Sequence, residues 1–224
     1  MQSAAIWVGG PASMPVQTQR TNLVATVSLG IAWAAAVVLG LRMMLNYAGT
    51  PGEIGAVPPS WPSGSQIERS IDRSTLVMVA HPLCPCTRAS VSELAQIMTA
   101  VHAKVDTYVL FFTPKDSGSE WQDTGLRRSA AAIPGVTVLS DVEGVEARRF
   151  GAETSGHTFL FDGGGHLLFS GGITQARGHS GGNAGERAII SMVNQEPTAH
   201  TATPVFGCSL GLHSQAGDKA RCLR

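Results

Sequence analysis

Charge is scarce in this 224-residue chain. Only 14% of residues are charged, and Lys+Arg and Asp+Glu number 16 each, so the formal net charge is zero. There is no run of Lys or Arg and no basic helix face. That excludes nucleic acid as a partner, because phosphate binding needs concentrated positive charge. No internal repeat is present, and no Cys-x-x-Cys. The four cysteines stand at 84, 86, 208 and 222. Gly (26) and Pro (12) are plentiful, which assigns much of the chain to loops.

The absence of charge is most complete from Leu23 to Leu41, LVATVSLGIAWAAAVVLGL, bracketed by Arg20 and Arg42. Nineteen helical residues span roughly 28 Å, close to the hydrocarbon thickness of a bilayer. A buried core helix rarely runs so long without a polar face. A cleaved signal peptide has a shorter apolar run and an A-x-A site, which is missing here. The reading is therefore an uncleaved transmembrane helix over residues 21–42, after a disordered lead over 1–20. One arginine on each flank specifies orientation weakly, with the amino terminus favouring an N-inside topology. The rest of the chain then faces the periplasm or cell exterior, anchored to the cytoplasmic membrane in an oxidising space. Residues 43–66 are rich in Gly, Pro and Ser and read as a linker.

Beyond Ile67 strands and helices alternate. Thr75–Ala80 is a β-rich apolar run. Apolar residues at Val91, Leu94, Ile97, Met98 and Val101 mark one face of a helix over 87–102. Val105–Phe112 reads as a strand, Trp121–Ile133 as a helix, Val136–Leu139 as a strand and Val142–Phe150 as a helix capped by Gly151. Thr158–Phe161 and His166–Ser170 flank a glycine turn and form a hairpin. Asn183–Val193 is a last helix. Alternating βα units predict an α/β domain over 67–195, with a central mixed sheet and helices on both faces. Residues 196–224 lack periodicity and read as a tail.

VMVAHPLCPCTRAS places cysteine between the first strand and its helix, and GHTFLFDGGGHLLFSGGI resembles the strand and glycine hairpin of membrane-tethered thioredoxin-like proteins. HPLCPCTRAS, FSGGITQARGHSGGNAG and TPVFGCSL together resemble the RedB-type group of anchored thioredoxin-like proteins. The resemblance implies a thioredoxin-like fold over roughly residues 70–195. Two departures accompany it. The cysteines are one residue apart rather than two, and Ser155-Gly156-His157 stands where thioredoxins carry a cis-proline.

Pro85 suits the first position of a helix, which puts Cys84 at the N-cap and Cys86 at the second position. A helix N-terminus favours thiolate over thiol, and Arg88 and His81 are near in sequence. These features assign Cys84 as the more exposed nucleophile and Cys86 as its resolving thiol. Closed together, the two would form a tight, strained ring. Cys208 either returns to this site, as a resolving thiol or third ligand, or pairs with Cys222. The expected function is thiol–disulfide exchange with a protein dithiol or disulfide partner, without a cofactor. The alternative is a copper-handling assembly protein that binds metal through Cys84, Cys86, His81 and His157. Soft thiolates select Cu(I) or zinc, and anchored thioredoxin-like copper chaperones join two cysteines to a distant histidine. A third reading is a scaffold that only binds a partner. His102, His166, His200 and His213 read as surface or packing residues.

Gly178-His179-Ser180-Gly181-Gly182 fits G-x-S-x-G, but no strand leads into it and no β-unit follows to carry a triad. It reads as a flexible loop. An anion cradle at the start of the last helix is the weaker use of the same glycines.

Overall fold

A computed structural model describes residues 16–101 and 104–212. The chain divides into two units, Met1–Asn46 and Tyr47–Arg224. The first is built on helix α1, Val16–Gly49. Within it Leu23–Gly49, with mean hydropathy 2.1, is the one helix among the described residues long and apolar enough to cross a membrane. The helix runs seven residues past the expected end at 42, because nothing before Thr50 interrupts it.

The second unit is a five-stranded sheet flanked by helices. In chain order come β1 (Ser74–Ala80), α2 (Thr87–Val101), β2 (Val105–Thr113), α3 (Ser119–Gln122), α4 (Gly125–Ala131), β3 (Val136–Val142), α5 (Val145–Phe150), β4 (His157–Phe161), β5 (Leu167–Gly172) and α6 (Ala184–Val193). The strands lie in the order β3-β2-β1-β4-β5. β1, β2 and β3 are parallel, while β4 runs antiparallel to both β1 and β5. β1 is central and covered on both faces, which is why it is an unbroken apolar run rather than an alternating one.

The two faces carry separate cores. One packs Leu94, Ile97 and Met98 of α2 and Ile189 of α6 on Met78, Phe111 and Phe169. The other packs Ala147 and Phe150 of α5 on Val77, Val79, Phe159 and Phe161. Helices therefore flank both faces, as the alternating pattern predicts.

Three local expectations are corrected. The helix expected over Trp121–Ile133 is broken into α3 and α4. Thr124 adopts an extended conformation, and its hydroxyl accepts the Arg127 amide, starting a new helix. The helix expected from Val142 begins instead at Val145. β3 continues to Val142, and the Asp141 carboxylate accepts the Glu146 and Ala147 amides. Residues 50–66 are not a free linker. The Gly55 amide bonds Gly151 O at 3.1 Å and the Trp61 amide bonds Gly165 O at 2.7 Å. The Trp61 ring meets Phe150 and Phe161 edge-on at 5.3 and 5.1 Å.

Residues 201–210 of the tail are also docked. Val205 and Leu210 are buried, the Thr203 hydroxyl bonds Gly172 O at 2.7 Å, and Ser170 bridges Ala202. Glycines let the tail approach so closely. At Gly207 a Cβ would lie 1.9 Å from Ser155 O. Exchanging Gly207 for alanine is thus expected to push the tail off the sheet, at a cost of about 1–3 kcal/mol. Urea unfolding of the G207A protein checks this, and an unchanged midpoint would count against the docked tail.

Candidate redox site

The end of β1 turns into α2 through His81-Pro82-Leu83-Cys84-Pro85-Cys86. The Cys84 amide bonds His81 O at 3.2 Å, closing a tight turn. The Thr87, Arg88 and Ala89 amides bond Cys84, Pro85 and Cys86 carbonyls three residues back, which winds the first turn of α2. Pro85 has no amide to leave unpaired there. The Cys84 sulfur accepts the Thr87 amide, as an N-cap side chain does at its third helical position.

A second segment completes the site. Residues 208–210 run antiparallel to 153–155: the Ser155 amide bonds Cys208 O at 2.9 Å, the Leu210 amide bonds Glu153 O at 2.8 Å, and Thr154 bridges Ser209. This brings Cys208 Sγ to 3.0 Å from Cys84 Sγ. The sulfurs of Cys84, Cys86 and Cys208 all lie within 4.8 Å of one another. Of the two fates expected for Cys208, the structure shows the return to the dithiol. Cys222 lies outside the described residues.

Exposure corrects the assignment of Cys84 as the outer sulfur. Cys84 is only 2% exposed, whereas Cys86 and Cys208 are half-buried. The docked tail covers the helix start, which residues 81–90 alone do not reveal.

The Cys84 thiol is held down to about 4. Hydrogen bonding from the Cys208 side chain is the largest cause, opposed by burial and reinforced by the Thr87 hydroxyl and by the Cys208 and Thr87 amides. Burial and the neighbouring Cys84 charge raise the Cys86 thiol, partly offset by the positive charge of Arg177. Arg177, whose guanidinium also donates to Gly207 O, is the site residue the sequence reading missed. It lies within FSGGITQARGHSGGNAG, one of the stretches that carry the resemblance, but nothing in its sequence spacing from Cys84, Cys86 or Cys208 marks it as a neighbour of sulfur. Arg88, the cation expected to help, is exposed.

A hydroxyl chain stands behind the sulfur. The His81 amide donates to Ser155 Oγ at 2.8 Å, and Ser155 Oγ lies 2.6 Å from Thr87 Oγ1. With the Thr87 proton directed at Cys84, Ser155 donates to Thr87. Replacing Thr87 by valine keeps the shape and removes the donor. It is expected to raise the Cys84 pKa by about one unit, as loss of one hydrogen bond to a charged group implies. Ultraviolet thiolate absorbance against pH reads the shift.

The histidines lie apart from the sulfur group. His81 is buried, stacked on Phe112 and edge-on to Trp121, with Nδ1 accepting the Leu83 amide at 3.2 Å. Burial lowers its pKa, against the pull of the Cys84 charge. His157 is fully buried on β4, with Nε2 2.9 Å from Ser170 Oγ and its ring 4.1 Å from that of Phe159. Burial pushes its pKa to about 3. Neither belongs to the set of side chains whose ligand atoms converge at the cysteines. Gly156 has φ +91°, a backbone proline cannot adopt, and a Cβ there would lie 2.8 Å from Ser90 Oγ. A side chain at position 156 would thus run into Ser90 of α2.

The loop Gly178–Gly182 leads into α6, not out of a strand. The Gly181 amide bonds the buried Glu93 carboxylate at 2.7 Å, and Asn183 Nδ2 bonds its other oxygen at 3.2 Å. The chain's own Glu93 accepts the donors that the anion-cradle reading assigned to a ligand. His166 and His200 are exposed, in line with the surface reading, and so is His179, while His102 and His213 lie outside the described residues.

No protein-family model and no curated protein matches the sequence. Solved structures do. A hypothetical protein from Sinorhizobium meliloti 1021 is 19% identical at a TM-score of 0.52, covering 75% of this chain and 96% of that one. An uncharacterized conserved protein from Geobacillus kaustophilus is 16% identical at a TM-score of 0.52, covering 72% and 91%. The strand order, with cysteines between the central strand and its helix, decides the description. The fold is thioredoxin-like. A secreted Mycobacterium tuberculosis disulfide oxidoreductase homologous to E. coli DsbE is 13% identical at a TM-score of 0.40, covering 55% of this chain and 82% of that one.

Proposed function

We propose that this thioredoxin-like domain performs thiol–disulfide exchange through Cys84 and Cys208. The observation that carries the reading is the 3.0 Å contact between a buried, ionised Cys84 and the half-buried Cys208. Cys208 is the sulfur that meets the partner. As it attacks a partner disulfide, its proton passes to Cys84 and then to the first leaving thiolate. A mixed disulfide now joins Cys208 to the partner, and Cys84 is again a thiolate. Cys84 attacks the Cys208 sulfur, the intramolecular disulfide forms, and the second partner sulfur leaves and takes a proton from water. One partner disulfide is reduced to two thiols while one protein dithiol is oxidised. A dithiol partner resets the protein by the reverse steps. The 3.0 Å separation has only to close to about 2.0 Å.

Cys86 is the auxiliary thiol. Its raised pKa keeps it protonated beside the Cys84 thiolate at neutral pH, and a bond across one residue would strain the helix start. The domain belongs, on this reading, to the RedB-type group of tethered thioredoxin-like proteins. Leu23–Gly49 would anchor it in the cytoplasmic membrane with the redox site on the periplasmic or outer side, where disulfides persist.

Single-turnover reaction with a model protein disulfide tests the assignment of roles. In Cys84→Ser the mixed disulfide is expected to accumulate on Cys208, because the resolving sulfur is gone. Accumulation on Cys86 instead would sink this assignment.

A further inference from the structure

We propose that reduced Cys84, Cys86 and Cys208 also form an all-sulfur binding site for Cu(I). The three sulfurs lie within 4.8 Å of one another and come from two segments, the start of α2 and the docked tail. Main-chain bonds from Ser155 and Leu210 fix the tail segment. A planar three-sulfur site with metal–sulfur bonds of about 2.3 Å needs sulfurs about 4.0 Å apart. No separation in the cluster exceeds 4.8 Å, and the Cys84–Cys208 pair has to open by about 1 Å from 3.0 Å to meet that value.

The donor set selects the ion. Among the described residues no carboxylate or imidazole belongs to the converging group, which disfavours hard cations. Soft thiolates suit both zinc and monovalent copper, but structural zinc takes four ligands and three sulfurs converge here, which favours copper. Three thiolates around one Cu(I) carry a net charge of −2. The site offsets it with the Arg177 guanidinium, which acts on Cys86, and with the amides of Thr87 and Cys208 directed at Cys84. The histidines expected to complete a copper site are engaged elsewhere, His157 Nε2 with Ser170 and His81 Nδ1 with the Leu83 amide. Binding releases the protons of Cys86 and Cys208 and moves no electrons. A Cys84–Cys208 disulfide would remove two of the three donors, so oxidation by a partner disulfide and metal binding exclude each other.

The inference shares its cysteines with the exchange reading but does not rest on it. The test is an anaerobic titration of the reduced full-length protein with Cu(I) against a chromophoric chelator, with X-ray absorption on the loaded protein. One ion per chain is expected, with three sulfurs and no nitrogen in the coordination shell. Each of Cys84→Ser, Cys86→Ser and Cys208→Ser should weaken binding at least about tenfold, while His157→Asn leaves it unchanged. The diamide-oxidised protein should bind no copper at the same chelator strength. Nitrogen in the shell, full affinity in Cys208→Ser, or binding by the oxidised protein would overturn the site. The absorption spectrum of the unmutated protein decides even if a variant folds poorly. Turnover of the metal-free protein, measured alongside, separates failure of the metal site from failure of exchange.

Discussion

Replacing Cys208 with alanine is expected to abolish turnover of protein disulfides and to raise the Cys84 pKa from about 4 by roughly one to two units. The two effects share one cause. Hydrogen bonding from the Cys208 side chain is the largest contribution holding Cys84 ionised. A hydrogen bond to a charged group contributes about 1.5–3 kcal/mol, and one pKa unit is about 1.4 kcal/mol. The Cys208 amide and both Thr87 donors remain in the variant, so the thiol should not return to its ordinary value near 9. Turnover suffers more than the pKa. Without Cys208 the one thiol left beside Cys84 among the described residues is Cys86, one residue away in a strained geometry, and Cys84 itself is covered. Pseudo-first-order alkylation against pH reads the first effect and a protein disulfide reductase assay the second. Wild-type turnover in Cys208→Ala would show that the tail cysteine is a bystander.

The folded protein is expected to lose stability on acidification, through Cys84 and His157. The Cys84 thiol is lowered from an unfolded value of 9.0 to about 4, so the unfolded chain binds one more proton than the native one between those limits. His157 is lowered from 6.5 to about 3 because its buried ring resists charge, and it too binds its proton only on unfolding across that range. Both contributions have the same sign: stability rises with pH. From these two groups the slope is about 1.4 kcal/mol per pH unit between 6.5 and 9, and about 2.7 between 4 and 6.5. His81, also lowered by burial, adds in the same direction below 6.5. Cys84→Ser removes the thiol share and should flatten the curve above 6.5 while leaving the histidine share below it. Urea midpoints at several pH values, in reducing buffer, measure the difference between the two proteins. Parallel curves for wild type and Cys84→Ser would mean that Cys84 is not ionised in the fold.

Much of this arrangement was legible in the chain itself. Short apolar runs mark every strand of the sheet to within a few residues, and a 3.6-residue period marks α2 and α6, because β1 is buried on both faces and each of these helices buries one face. The cysteines at the helix start were legible for the same reason: Pro85 fixes a helix's first position and the run before it is a central strand. What stayed hidden was docked without periodicity. Residues 201–210 attach through main-chain bonds to Glu153 and Ser155, through the Thr203 hydroxyl to Gly172 O and through close approach at Gly207, none of which leaves an amphipathic pattern. The sequence therefore left Cys208 between two fates and exposed the wrong cysteine. Residues 50–66 behave in the same way: their glycines and prolines suggest a tether, while Trp61 packs them on the Phe150 and Phe161 rings. His157 followed from a family geometry that Gly156 does not keep. Its ring turns to Ser170 rather than to sulfur.

The central claim is that Cys84 and Cys208 are the reacting pair. Peptide mapping of the full-length protein after gentle oxidation tests it most directly. Residues 84 and 86 share one short peptide, so the digest must cleave or fragment between them to assign the linkage. A Cys84–Cys208 disulfide is the expected product, with Cys86 recovered as a free thiol. A Cys84–Cys86 ring, or a Cys208–Cys222 bridge with both helix-start thiols free, would contradict the account.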